Sequence, residues 1–350
     1  MTVRRVAWLL SAGVAVVVFA IWLSSQRHLE RATLAGDLVL PGLEQHVNAV
    51  TQVRLRKGDG TLTTLTRDSA GWNVAERAWP ADLSKVRKLL LDLGALNIVE
   101  EKTRLPANYP QLGVEDLTSP KASGTRVEVA APAQSWALIV GKSSSAKSGY
   151  VRIASAAPSL LAAPLISVDA DPKGWLDRAL IDLTPERVRE VEERPASGPG
   201  YQLSRAKKEQ SNFSVTPIPK GRELSGPGAA DSIAGALSAL SLDDVRKGAS
   251  ADAQAMHATF RTFDGLELEV TGRKDGTHAL LAARARSGAK DTEAEAQKLN
   301  ARLEGWEFEI PDYKYTAIFR PLEELLKAPP EPPKKPAKPA KAAPPAKTPK

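Results

Sequence analysis

The sequence predicts an α+β protein built by tandem duplication, with two antiparallel-sheet-plus-helix units behind an N-terminal transmembrane helix. Three observations predict it. LGALNI (residues 93–98) and LSALSL (237–242) echo each other 144 residues apart, each after apolar residues at helical spacing. Strand-like and helix-like stretches follow the same order around each echo, the mark of an internal repeat. The stretch VAWLLSAGVAVVVFAIWL, Val6–Leu23, runs 18 residues without a charge.

That apolar run comes first in the chain. At about 1.5 Å per residue it reaches roughly 27 Å, close to a hydrocarbon core of about 30 Å. Trp8 and Trp22 sit near its ends, where indole rings favour the membrane interface. A cleaved signal peptide would have a shorter apolar core and a small-x-small site, which IWLSSQRHLERA does not offer. A retained single-pass anchor is therefore expected. Arg4 and Arg5 before the span are balanced by Arg27 and Arg31 after it. The short basic stub 1–5 favours an inside amino terminus, with the rest outside the cytoplasm.

Residues 24–48 read as a polar stalk broken at Pro41-Gly42, and the first unit is expected over 49–183. VTQVRLRKG and LTTLTRDS alternate around Gly58-Asp59-Gly60 as a hairpin, and GWNVAE supplies a third strand. In WPADLSKVRKLLLDLGALNI, Asp82 is the expected helix N-cap, and Val86, Leu89, Leu90, Leu93 and Leu96 mark one apolar face. YPQLGVEDLTSP reads as a loop. TRVEVA, SWALIVG, GYVRIA and LISVDA follow as a four-strand meander, and PKGWLDRALIDL as a short closing helix.

The second unit, expected over 184–327, repeats the order. VREVEE, GYQLSRA and NFSVTP are its strands and ADSIAGALSALSL its helix, with Ile233, Leu237 and Leu240 on one face. ATFRTF, LELEVT, THALLAAR and WEFEIP are the meander, and YTAIFRPLEELLK the closing helix. The tail, 328–350, holds nine prolines among Lys and Ala. Such a stretch has nothing to bury and reads as an extended polyproline-II-like arm.

Composition narrows the function classes. The 42% hydrophobic and 25% charged residues are those of a globular protein, and 350 residues leave room for two cores. The absence of cysteine excludes disulfides and thiolate chemistry. Net charge is +7, but the tail alone holds six Lys against one Glu. The remainder is nearly neutral, which argues against nucleic acid as a partner. The Lys-rich tail instead suits an anionic cell-wall polymer or lipid.

Candidate chemistry is sparse. The four histidines, His28, His46, His257 and His278, have no metal-ligand spacing among themselves. No G-x-S-x-G elbow is present. GKSSSAKSG contains Gly141-Lys142-Ser143, the end of a phosphate-loop pattern, but Trp136 stands where its first glycine is needed. Asp169 and Asp171, with Asp177 and Asp182, form an acidic run whose simpler role is capping and solvation. Trp72, Trp79, Trp136, Trp175 and Trp306 fit a glycan platform or, better, sheet and core positions. No catalytic, cofactor-binding or metal residue is expected, and the chain is expected not to be an enzyme.

Trp72-Asn73-Val74, Pro80-Ala81-Asp82, Tyr109 with Leu112-Gly113-Val114, Ile139-Val140-Gly141, Gly149-Tyr150-Val151-Arg152 and Trp175-Leu176-Asp177-Arg178 occur in a telling order. Across most of residues 50–326 the chain resembles an uncharacterised domain of unknown function. That family occurs in single-pass bacterial envelope proteins, often encoded beside gliding-motility-type ABC transporters. The resemblance implies an inner-membrane accessory component, its C-terminal domain in the periplasm, working with a separate permease and ATPase. It carries no catalytic residue over. A periplasmic glycan- or peptidoglycan-binding module is the alternative, and an envelope hydrolase a further one.

Overall fold

The computed structural model describes residues 36–248 and 254–328. The expected stub, the anchor Val6–Leu23, the stalk before Gly36, His28 and the tail beyond Ala328 lie outside the described residues. Among the described residues, no helix is long and apolar enough to cross a membrane. The chain divides into two compact units. Both are sheet-rich, antiparallel and sparing of helix.

The first unit comprises the described residues up to Ala179 together with Leu242–Arg246. Its strands are β1 Gln52–Lys57, β2 Leu62–Arg67, β3 Trp72–Val74 and β4 Trp79–Pro80, then helix α1 Leu83–Gly94. After it come β5 Asn97–Thr103, β6 Thr125–Ala131, β7 Gln134–Ser143, β8 Gly149–Ile153 and β9 Ser159–Ala163. They form one nine-stranded sheet in the order β4-β3-β2-β1-β6-β7-β8-β9-β5. Alternation sets the faces. Val53 and Leu55 of β1 point into the core beside Leu65, Val127 and Val129, with Val53 opposite Leu65 and Val129. The apolar positions of α1, Val86, Leu89, Leu90 and Leu93, are all buried, and the Asp82 carboxylate accepts the Ser84 and Lys85 N–H groups as N-cap.

Three expectations change in this unit. Residues from Gly36 onward are not stalk. The Gly36 N–H donates to the Ile98 carbonyl, the Val39 N–H to that of Leu96, and Val39, Leu40 and Leu43 are buried. The fourth meander strand is Ser159–Ala163 rather than LISVDA. PKGWLDRALIDL is no helix. Asp171 caps a single 3-10 turn, Pro172–Trp175, and the chain then runs extended beside Pro80–Asp82. There the Asp82 N–H donates to the Trp175 carbonyl and the Asp177 N–H to that of Pro80. Pairing with the β4 edge satisfies backbone groups that a helix would have turned inward on itself.

The second unit comprises Leu180–Ser241 and the described residues from Lys247. Its strands β10 Val188–Arg194, β11 Tyr201–Ser204 and β12 Ser214–Thr216 precede one helical turn, Asp231–Ala234. β13 Met256–Thr262, β14 Leu266–Asp275 and β15 His278–Ser287 follow, then α2 Glu293–Leu303, β16 Trp306–Ile310, α3 Asp312–Ile318 and α4 Leu322–Leu325. Seven of the eight strands of its sheet run in the order β12-β11-β10-β13-β14-β15-β16. Beyond β16 the Gly248 N–H donates to the Gly305 carbonyl, and Lys247 lies 5.5 Å from the Trp306 ring.

The expected helix ADSIAGALSALSL is only that one turn, since Ala239 takes a positive φ of 46° and its N–H is held by Asp182. The expected closing helix is two pieces, because Pro321 cannot supply the N–H that a continuous helix requires. α2 was not expected at all. It is tied to β15 by Asn300, whose amide gives and takes hydrogen bonds with Ala285.

Both sheets set their first three strands in the order third, second, first and continue into four further strands; the first sheet adds β4 and β5 at its edges, and in the second α2 interrupts the run before β16. LGALNI spans the end of α1 and the start of β5, and LSALSL follows the single turn Asp231–Ala234. Leu93, Leu96 and Ile98 of the one string, and Leu237, Leu240 and Leu242 of the other, are buried apolar side chains.

Candidate functional site

The residues that carry the resemblance meet in two clusters of the first unit. In one, Tyr109, Val114 and Ile139 pack together with Leu112 and Tyr150 against them. Arg152, in β8, is buried beneath them. Its Nε donates to the Val114 carbonyl at 2.8 Å, one terminal nitrogen to that of Ala156 at 3.2 Å, and the other to Asp116. Its guanidinium lies 4.8 Å from the Tyr109 ring centre, and the Tyr109 hydroxyl donates to the Ala157 carbonyl. Glycine allows this loop to lie flat on the sheet. A Cβ on Gly141 would overlap the Leu112 carbonyl oxygen, and one on Gly124 that of Gly113. Gly113 itself has φ of 72°.

In the other cluster the tryptophan N–H groups fasten loops. Trp79 Nε1 donates to the Asp177 carbonyl at 2.9 Å and Trp175 Nε1 to that of Asp169 at 2.7 Å. Nearby, Arg77 makes a two-pronged pair with Asp244, at 2.6 and 3.1 Å, and Lys173 approaches the same carboxylate at 3.3 Å. Burial pushes the Asp244 carboxyl up, but Arg77, the Val245 N–H and Lys173 together outweigh it and hold the group below its ordinary range.

A model of the domain of unknown function DUF4340 matches residues 72–258, more than half the chain. The chain belongs to this family. No curated protein and no solved structure matches it. The DUF4340 match opens at Trp72 and ends at Ala258, so it takes in both clusters and runs on into the second unit. In this DUF4340 protein the motif side chains Arg152, Tyr109, Trp79 and Trp175 bond to backbone carbonyls and pack around them, which shapes a scaffold.

The remaining candidates of the sequence are dispersed. His46 Nδ1 lies 2.7 Å from the Gly42 carbonyl, His257 Nδ1 3.1 Å from Thr271 Oγ1, and His278 Nδ1 2.7 Å from Glu309. Lys142 reaches the Gln111 carbonyl at 3.1 Å, closing the loop of the first cluster. Asp169 accepts from the Asp171 N–H and Lys57, Asp171 from the Lys173 N–H, Asp177 from the Ala179 N–H and Asp182 from the Ala239 N–H. Among the described residues, no group of three or more His, Asp or Glu is placed to hold a metal ion. Trp72, Trp79, Trp136 and Trp175 are buried and Trp306 is half-buried.

Two features lay outside the sequence reading. Arg205 is buried in the second unit and gathers the carbonyls of Val188, Gln210, Pro185 and Glu186, with Phe213 4.7 Å away. Glu193, in β10, is 4% exposed, and its Oε1 has no hydrogen-bond partner. Burial pushes its carboxyl up to about 9, so at neutral pH it holds a proton. Its β11 partner is Tyr201, whose hydroxyl donates to the Arg320 carbonyl at 2.5 Å. Strand alternation does not announce Glu193. The bulge between Val188 and Glu190 shifts the phase of β10, so that Glu193 falls in step with the buried Val191 and points inward.

Proposed function

We propose that this chain is a non-enzymatic, membrane-anchored accessory subunit of an ABC-transporter-like envelope complex. It sits in the bacterial inner membrane by a single span and displays its C-terminal domain in the periplasm. A separate permease and ATPase do the transport. We further infer that its two units are copies of one ancestral unit, a reading supported by their common strand order. The Lys-rich tail is available to an anionic cell-wall polymer or lipid.

The observation that carries the proposal is how the family residues are used. Arg152, Tyr109, Trp79, Trp175 and Asp82 all hold backbone in place, so what they preserve is a surface for protein contact. The uncharged run Val6–Leu23 supports the membrane location. Purification of the full-length chain in mild detergent should recover a multi-span permease and its ATPase. Exchange of Val6–Leu23 for a cleavable signal peptide should release a folded domain that no longer supports function at native abundance. Full function of the released domain would sink the proposal.

A further inference from the structure

The outer face of the first sheet carries cations that the fold does not neutralise. Arg54 and Arg56 alternate with the buried Val53 and Leu55, so both point away from the core. The register sets Arg56 directly opposite Arg126 on β6, and Arg54 opposite Glu128. Glu128 is already committed, since Arg126 Nε lies 2.7 Å from it. Among the described residues, no carboxylate stands within salt-bridge distance of Arg54 or Arg56. Glu76 spends an oxygen on the Thr64 N–H at 2.9 Å.

Like charges directly opposite in an antiparallel pair destabilise it, and a local rule broken without compensation marks a functional place. The second unit shows the other solution at the same face. There Arg261 is held by Glu190, Glu192 and Glu267, Arg194 by Glu192, and Arg286 by Glu269. One fold thus carries a neutralised face in one unit and an electropositive one in the other.

We propose that the outer face of β1 and β6 is a docking surface for an acidic protein segment in extended conformation, whose carboxylates meet Arg54 and Arg56 beside the Arg126–Glu128 pair. Alternate residues of a strand project about 6.6–6.8 Å apart, so acids at every second position of an extended partner match Arg54 and Arg56. Guanidinium forks favour planar carboxylates. The surroundings are low and suited to close approach: Thr64 lies opposite Arg54, Leu62 opposite Arg56, and Ala137 opposite Glu128. Leu62 is 37% exposed and adds an apolar contact. A cleft of about 390 Å³, lined by Pro41, Arg126, Trp136 and Ile153, borders the same face at Arg126.

The proposal deepens the accessory-subunit reading by naming the chemistry of a partner, and it is tested separately. A fluorescent peptide of six Glu-Thr repeats is titrated with the full-length chain in non-ionic detergent at low salt, alongside the double variant Arg54→Thr, Arg56→Thr. The Lys-rich tail is present in both proteins, so the difference between them reads the face. Binding should weaken at least tenfold in the variant and lose part of its salt dependence. Unlabelled peptide should compete, and dihexanoylphosphatidylglycerol should not. The variant's melting temperature should hold or rise, because a like-charge pair is relieved. Binding within twofold of the parent, equal competition by the lipid, or a melting temperature lower by more than about 3 °C would overturn the assignment. Failure to recover a permease, with arginine-dependent peptide binding intact, would sink the accessory reading and leave this one standing.

Discussion

Glu193→Gln should make the protein more stable above neutral pH and flatten its pH dependence. Burial raises the Glu193 carboxyl to about 9 from its ordinary value of 4.5. Between those limits the native chain binds a proton that the unfolded chain has released. The stability difference therefore falls as pH rises, by about 1.4 kcal/mol per pH unit. It is fully present below the unfolded value and lost as pH climbs through the folded one. From pH 6 to pH 8 the loss comes to about 2–3 kcal/mol, which the uncharged, isosteric glutamine does not suffer. In a unit of this size that corresponds to roughly 5–10 °C in melting temperature. The assay is thermal or urea unfolding of both proteins at pH 6, 7 and 8 at fixed ionic strength. Every other titratable group is common to both proteins and cancels in the difference. The gap between variant and parent should widen steadily with pH. A gap that is constant to within about 0.5 kcal/mol would show that Glu193 is ionised in the native protein, and the reasoning from burial would fail.

Arg152→Ala should destabilise the first unit by about 3 kcal/mol, since it strips the buried Val114 carbonyl and the part-buried Ala156 carbonyl of their donor. Arg152→Lys should recover less than half of this, because an ammonium cannot reach both loops and Asp116 at once; full recovery in a denaturant titration would contradict the geometry. Gly141→Ala should cost about 2 kcal/mol or more by driving a methyl into the Leu112 carbonyl, and an unchanged unfolding midpoint would show that the Tyr109 loop does not lie against the sheet.

Sequence alone determined those elements whose pattern is local. Alternation in VTQVRLRKG and LTTLTRDS around Gly-Asp-Gly set β1 and β2, and Asp82 with four buried apolar positions set α1. The apolar positions of LGALNI and LSALSL were legible as core, and Leu93, Leu96, Ile98, Leu237, Leu240 and Leu242 are buried. The placement of the motif residues was not legible. Trp79 and Asp177 are 98 positions apart, and only strand pairing brings them together.

Tertiary structure decided the elements with thin or conflicting patterns. NIVEEKT is a strand because β9 presents an open edge to it, whatever its charges. α2 buries only Ala296 and Leu303, too narrow a stripe for its period to show, and it is held by Asn300 instead. The two sheet faces make the same point about charge. Alternation places Arg54 and Arg56 side by side, yet it says nothing of Arg126, 70 residues on. In the same way Glu190, Glu192 and Glu193 look alike as a run of acids in β10. The bulge leaves the first two facing Arg261 and buries the third, because hydrogen-bond register, and not composition, settles which side chain meets water.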